Sequence, residues 1–394
     1  MTLWIIEPRD PLIFGDGKPF SAVPGSRAKS LIFPHPSTIA GAMRTHSGTD
    51  PKGQFDSSRI DELLGKHLRG PVLVELAPDT NVQDWLLPVP ADALVLKADD
   101  EKAGRRLWLR PLKMPDGAMT NLNSGLELVG ASNKVEGKPH PKPPRYWNWK
   151  AYERWLLAPA DDTADALTAD WGHEGPAREY RMHVSIEPGS QTAQEGALFQ
   201  TSGLEFTRVS GNGRSELHGT TRLALALNTD ADLRAGLDFL GGEKRAVYWQ
   251  QSTDELPVCP DEVRKAITMQ KHCRLLLLTP GWFERGYLPT WVRTCTTDVT
   301  VEIVAAAVSR YQTVSGWDYA GTPQGPKLTR RLTPAGSVYF LRLNGDDDAI
   351  ERFVEVVWMH NISDCSQDRR DGFGLAVVGV WDGKSADLNL EVNA

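Results

Sequence analysis

The run SVYFLRLNGDDDAIERFVEVVWM at 337–359, followed at 375–381 by LAVVGVW, decides the class of the fold. Ser337–Leu343 is an aromatic and aliphatic run bounded by Gly336 and Gly345, which reads as a strand. Asp346, Asp347 and Asp348 then mark a helix start. Their carboxylates can accept from the free N–H groups of a first turn and suit the positive end of its dipole. Ala349-Ile350-Glu351-Arg352-Phe353 continues as helix, out to Met359. Two carboxylates at a strand end can also hold Mg²⁺, as in polymerase-type sites. The cap is the better account, because a helix follows at once. Leu375–Trp381 is again a strand.

Outside this run the chain consists of short periodic segments punctuated by 35 glycines and 27 prolines in all. Strand-like runs are Leu3–Phe14, Pro71–Ala77, Ala93–Lys97, Leu107–Leu112, Tyr180–Glu187, Leu198–Thr207, Thr221–Leu227, Arg245–Gln250, Arg274–Thr279 and Val299–Ala305. Helices are expected at Ser37–His46, Asp56–Leu68, Asn148–Leu157, Asp230–Phe239 and Pro260–Met269. Strands outnumber helices without strict alternation, so an α+β build is expected and a doubly wound parallel sheet is not. Two ferredoxin-like βαββαβ units satisfy the element count. The clearest break is Gly241-Gly242, giving domains 1–240 and 241–394. Residues 98–147, basic and rich in Pro and Gly, and 158–178, acidic, read as surface insertions. No tandem repeat has a fixed period.

The 394 residues suffice for two domains and a large core. The four cysteines, Cys259, Cys273, Cys295 and Cys365, form no CxxC pair. No apolar run reaches 18 residues, and the N-terminus has no basic segment or small-residue cleavage site. A reduced cytoplasmic protein without a membrane span is expected. The net charge is −7, which alone disfavours nucleic acid. The charge is segregated, however. Residues 17–47 carry +4, 104–160 carry +6 and 319–345 carry +4, leaving −21 on the rest. A basic groove on an acidic body fits this pattern, as does chance clustering of solvated charge.

Catalytic motifs are missing. There is no HExxH and no GxSxG. Gly383-Lys384-Ser385 lacks the glycine a phosphate-binding loop needs, and Gly372-Phe373-Gly374 is followed by a strand where a dinucleotide fingerprint requires a helix. Phosphate binding is better supported. The helix that opens at Pro36-Ser37-Thr38 can offer free N–H groups to an anion, and Gly25, Arg27 and Lys29 lie just upstream with no carboxylate beside them. Ser366-Gln367-Asp368-Arg369-Arg370-Asp371-Gly372-Phe373-Gly374 puts two arginines before a Gly-Phe-Gly turn. Guanidinium, bare backbone and an aromatic meet there, unless the turn is structural and Phe373 is a core plug. Lys327-Leu328-Thr329-Arg330-Arg331, after Trp317, is a third and weaker signal.

EPRDPLIFGDGKPF (7–20), PGSRAKSLIFPHPSTIAGAMR (24–44), LGGEKR (240–245), VSGWD (314–318), RRLTPAGSVYF (330–340) and GFGLAVVGVW (372–381) occur in this order along the chain. Together they resemble the Cmr subunit three family, RAMP-superfamily proteins of type III-B CRISPR effector complexes. Residues 98–147 and 158–178 match poorly. The resemblance implies two ferredoxin-like, RRM-related domains with insertions and a C-terminal glycine-rich loop. It implies an antiviral-defence subunit that is not a nuclease and that holds the 5′ handle of the crRNA. The implied partners are the large polymerase-like Cmr subunit and the backbone RAMP subunits. A protruding thumb hairpin that kinks the guide is also implied, and 98–147 is the place expected for it.

The expected function is therefore a non-catalytic RNA-binding scaffold without cofactor or metal. Arg27, Lys29, Ser37, Thr38 and Arg44 form one wall of the expected site. Arg369, Arg370, Gly372, Phe373 and Gly374 form the other, with Lys244 and Arg245 at the domain junction. The alternative is a metal-independent endoribonuclease that processes precursor crRNA, with His35 and His46 as acid and base.

Overall fold

The computed structural model describes all residues except 16–26, 29, 101, 124, 133–134, 162–164, 210–219, 319–324 and 389–394. Two antiparallel sheets organise the chain. The first has the spatial order Gly172–His173, Tyr146–Asn148, Val82–Pro88, Leu68–Leu76, Thr220–Thr229, Thr2–Pro8, Arg245–Gln251, Gly236–Leu240. Thr207–Val209 pairs with Thr220–Thr229 off this path. The second runs Thr300–Ala307, Val338–Asn344, His272–Leu277, Leu375–Val380, His360–Asn361.

One strand order underlies both. In the first sheet, Thr2–Pro8, Leu68–Leu76, Thr220–Thr229 and Arg245–Gln251 are neighbours in the order second, third, first, fourth along the chain. In the second sheet, His272–Leu277, Thr300–Ala307, Val338–Asn344 and Leu375–Val380 repeat that order. The crossovers differ. The first sheet has a helix, Pro36–Gly48, between its first and second strands, and only the strand Gly236–Leu240 and the 3₁₀ turn Gly242–Lys244 between its third and fourth. The second has the helix Asp347–Val357 between third and fourth, and only a short 3₁₀ turn, Trp291–Arg293, between first and second. Helices Asp261–Gln270 and Trp149–Leu157 pack on this sheet instead, the latter from the N-terminal half.

Burial explains these placements. Helix Pro36–Gly48 turns Ile39 and Met43 into a core with Trp4, Ile6, Leu225 and Trp249. Helix Asp347–Val357 turns in Ile350, Phe353, Val354 and Val357, which join Trp147, Tyr152, Trp155, Phe340 and Trp381. A polar knot ties the halves. Arg274 and Asp92 are wholly buried and pair at 2.7 Å. Asp92 also accepts from the Trp155 indole at 3.0 Å, and Arg274 donates to the carbonyls of Trp155, Leu156 and Val380.

Four expectations change. Residues 230–239 hold no helix: Gly236–Leu240 pairs with Arg245–Gln251 as a hairpin, in which Leu237 and Phe239 alternate with Asp238. Gly241, at φ 76°, supplies that hairpin's turn, so the expected break at 241 falls inside the first sheet, which runs to Gln251. Residues 98–147 are not merely a surface excursion. Ala103–Trp108 pairs with Ala93–Lys97, and the buried Arg106 guanidinium lies 4.9, 6.0 and 4.6 Å from the rings of Trp147, Trp155 and Trp171. Trp171 is buried as well, inside the other expected insertion. The long protruding hairpin is Ala177–Ile186 with Ala193–Glu205, not a part of 98–147. Tyr180, Met182, Val184 and Ile186 alternate along its exposed edge strand.

Candidate nucleic-acid interface

A cleft of about 980 Å³ opens between the two sheets. Pro71–Leu73 of the first sheet and Leu278–Pro280, just past the first strand of the second, face each other across it. His35 and Pro36, at the start of the first helix, form one end, and the proline-rich stretch 139–145 covers it. Pro36 at the first helical position and extended backbone at His35 start the helix. No side chain caps it and its first turn holds no acidic residue. The Thr38 amide donates to the His35 carbonyl at 3.0 Å, and the Ser37 and Thr38 side chains are half-buried. Burial pushes the His35 imidazole down to about 4, so it is neutral at pH 7.

Three cations border this cleft with no carboxylate partner among the described residues. Lys142 and Arg145 are exposed in the proline stretch, and Arg331 lies 4.7 Å over the half-exposed Tyr311 ring. Tyr311 belongs to the lining, and Arg331 is held beside it because Thr313 and Arg331 face each other in a two-stranded ribbon. Glu174 is the one carboxylate among the lining residues. A flexible anionic chain with a base to stack would meet donors and an aromatic platform here.

The two walls expected from sequence do meet, but largely as structure. At Gly372, φ 95°, a Cβ would come closer than 3.0 Å to the Gly70 carbonyl and to Leu68, and within 3.3 Å of the Pro36 ring. The C-terminal turn is thus seated against the start of the first helix. Arg44 donates to the Leu63 carbonyl at 2.9 Å and pairs with Asp371 at 2.6 Å, which clamps the same junction. Phe373 is fully buried with Val314 and Leu332, so it is the core plug and offers no surface for stacking. The Gly374 amide donates to the Pro280 carbonyl. Arg369 stacks on Trp291 at 5.1 Å and donates to the carbonyls of Ser363 and Asp364. Arg370 makes one long bond, 3.4 Å, to Gln367.

The remaining expected residues lie elsewhere. Arg27 is in a two-residue strand parallel to Gln200 and Thr201 at the base of the long hairpin. Lys29 and Gly25 lie outside the described residues. Lys244 is exposed, and Arg245 pairs with Glu243 at 2.5 Å. Arg330 pairs with Asp368 at 2.8 Å. Asp346 caps its helix by accepting from the Ala349 amide at 2.8 Å. His46 is buried, stacks on Trp249 at 5.1 Å and bonds Asp238 and the Arg234 carbonyl. It follows His35 by eleven helical residues, roughly 16 Å along the axis, so the two do not share one reacting centre. Among the described residues no group of three His, Cys, Asp or Glu side chains could hold a metal, and no helix is long and apolar enough to cross a membrane. Lys142, Arg145 and Tyr311 were missed. The sequence signals for the first two were the basic 104–160 stretch and, within it, the acid-free PKPPR at 141–145.

No curated protein matches the chain. Among solved structures, a chain of a type III-B Cmr-β complex bound to cognate target RNA and AMPPnP is 17% identical, with 86% of each chain covered and a TM-score of 0.43. A second type III-B Cmr-β complex, bound to cognate target RNA, gives 14%, 86% of each chain and 0.44. A Csm3–Csm4 subcomplex of a type III-A interference complex gives 10%, 88% of this chain, 94% of the other and 0.33. The sequence model of the CRISPR-associated Cas_Cmr3 proteins matches residues 4–381, nearly the whole chain, and the chain belongs to that family.

Proposed function

We propose that this chain is a non-catalytic RNA-binding subunit of a type III-B Cmr effector complex. It holds the 5′ handle of the crRNA in the cleft between its sheets and bridges the large polymerase-like subunit to the backbone subunits. The observation that carries this reading is the set of three unpaired cations, one on an aromatic ring, around a cleft that ends at an uncapped helix start. Family membership supports the same assembly. The repeated strand order supports two ferredoxin-like, RRM-related units, each lacking one of the usual two crossover helices. The separation of His35 from His46 favours the scaffold over the nuclease.

Handle binding followed by fluorescence anisotropy against salt tests the cleft. Arg331→Gln and Lys142→Gln each flatten the log–log salt slope by about 0.7, the release expected per single-strand phosphate contact. Arg44→Gln, whose wild-type guanidinium is held by Asp371, leaves the slope unchanged. Unaltered slopes for both Arg331 and Lys142 variants overturn the cleft. A site-specific cut in precursor RNA incubated with the chain in EDTA overturns the non-catalytic reading.

A further inference from the structure

A second cavity, of about 400 Å³, shares no lining residue with the cleft and lies on the other side of the Gly70–Gly372 contact. Its polar lining is cationic or neutral, with Arg69, Arg369, Arg370, His360 and Asn361 converging beside Trp291 and no carboxylate among the lining residues. The carboxylates of the adjoining segment face other groups. Asp368 is engaged by Arg330, and Asp364 accepts from the amides of Glu284, Thr290 and Trp291.

Arg69 is the unusual member. It is half-buried and, among the described residues, has no acidic partner; its guanidinium donates to His360 Nε2 at 2.6 Å. The other ring nitrogen, Nδ1, donates to the Trp358 carbonyl, which fixes His360 as the neutral tautomer that can accept from Arg69. A half-buried guanidinium that donates to an imidazole keeps further donors open to the cavity. Arg370, with one 3.4 Å bond, has donors to spare on the opposite wall. The buried Asn361 Oδ1 has no partner either, while its amide nitrogen bridges the Leu68 and Arg369 carbonyls. The site thus presents two under-used guanidinium groups and an arginine plane lying on an indole.

We infer that this cavity binds a phosphate monoester attached to a nucleobase. Arg69 and Arg370 clamp the phosphate oxygens. The Arg369–Trp291 stack receives the base. A free nucleoside monophosphate and the phosphorylated end of an RNA present the same chemistry. The volume suits one nucleotide and not a duplex.

Calorimetric titration of the full chain with AMP tests the inference. AMP binds with a stoichiometry of one, and adenosine binds at least about tenfold more weakly, as loss of one charge-assisted clamp requires. Arg69→Gln and Arg370→Gln each weaken AMP by a similar factor. Arg331→Gln does not, although it weakens handle binding, which separates failure of this site from failure of the cleft. If a 5′-phosphorylated hexanucleotide displaces AMP and its 5′-hydroxyl counterpart does not, the source is an RNA end. If neither displaces it, the source is a free nucleotide. No heat with millimolar AMP, or AMP affinity unchanged in both arginine variants with their folds intact by circular dichroism, overturns the site.

Discussion

The two sheets repeat one strand order, yet each keeps the crossover helix that the other lacks, and the two helices begin in opposite ways. Pro36–Gly48 starts without a side-chain cap or an acidic residue and ends one side of the cleft. Asp347–Val357 is closed by Asp346, with Asp347 and Asp348 in its first turn. A missing cap leaves a helix less stable by about 1 kcal/mol, and three carboxylates at a helix start repel a phosphate chain. One unit therefore gives up local stability for a surface an anion can approach, and the other does the reverse. The vacant crossovers differ too. The first sheet fills its gap with a hairpin of its own, whereas the second takes in Trp149–Leu157 from the other half and fastens it through Asp92 and Arg274.

The largest expected effect tests that dependence. Asp92→Ala leaves Arg274 as an uncompensated buried charge, and stability falls by about 3–5 kcal/mol in denaturant unfolding. A loss below about 1 kcal/mol would mean that the second sheet holds its helices unaided.

Acid comes next. His35 is pushed by burial from 6.5 to about 4, and His360 is also lowered, by burial and by Arg69. The unfolded chain binds these protons more readily, so stability is complete above about pH 6.5 and falls as pH drops towards 4. For His35 the loss amounts to about 3 kcal/mol. His35→Gln flattens the stability–pH curve in that window; an unchanged curve would place the histidine in water.

The smallest effect addresses the two helix starts directly. Asp346→Ala costs about 1 kcal/mol and leaves handle affinity alone. His35→Asp supplies a cap, and it weakens handle binding because a carboxylate now stands at the cleft. Equal handle affinity in His35→Asp and wild type would erase the functional contrast between the helices.

Most of the strands were legible because their patterns are local. Ala93–Lys97 lies where its apolar run put it, and Asp346 caps its helix as its position before Ala349 suggested. Residues 230–239 misled because Leu233 and Leu237 stand four apart, a helical spacing, while Leu237 and Phe239 alternate as in a strand, and pairing with Arg245–Gln251 decided between the two. The site was half legible. The sequence picked out the segments that meet at Gly372. It did not distinguish a guanidinium bound to carbonyls, as in Arg369, from one left free, as in Arg331. Whether Arg44 faces solvent or Asp371, 327 residues later in the chain, is set by tertiary contact and leaves no trace in spacing.

Thr2–Pro8 has its partners at Thr220–Thr229 and Arg245–Gln251. A ribosome adding roughly 5–20 residues per second needs on the order of 10–50 s to deliver the second of them. Until Thr220–Thr229 is made, Leu3-Trp4-Ile5-Ile6, covered on both edges in the finished protein, has neither partner, and one edge stays open until Arg245–Gln251 follows. Such a segment is an invitation to intermolecular pairing. Biogenesis, more than equilibrium stability, is the stage at which this chain is most exposed to aggregation, and slower initiation or chaperone cover at the N-terminal segment is the lever that raises its yield.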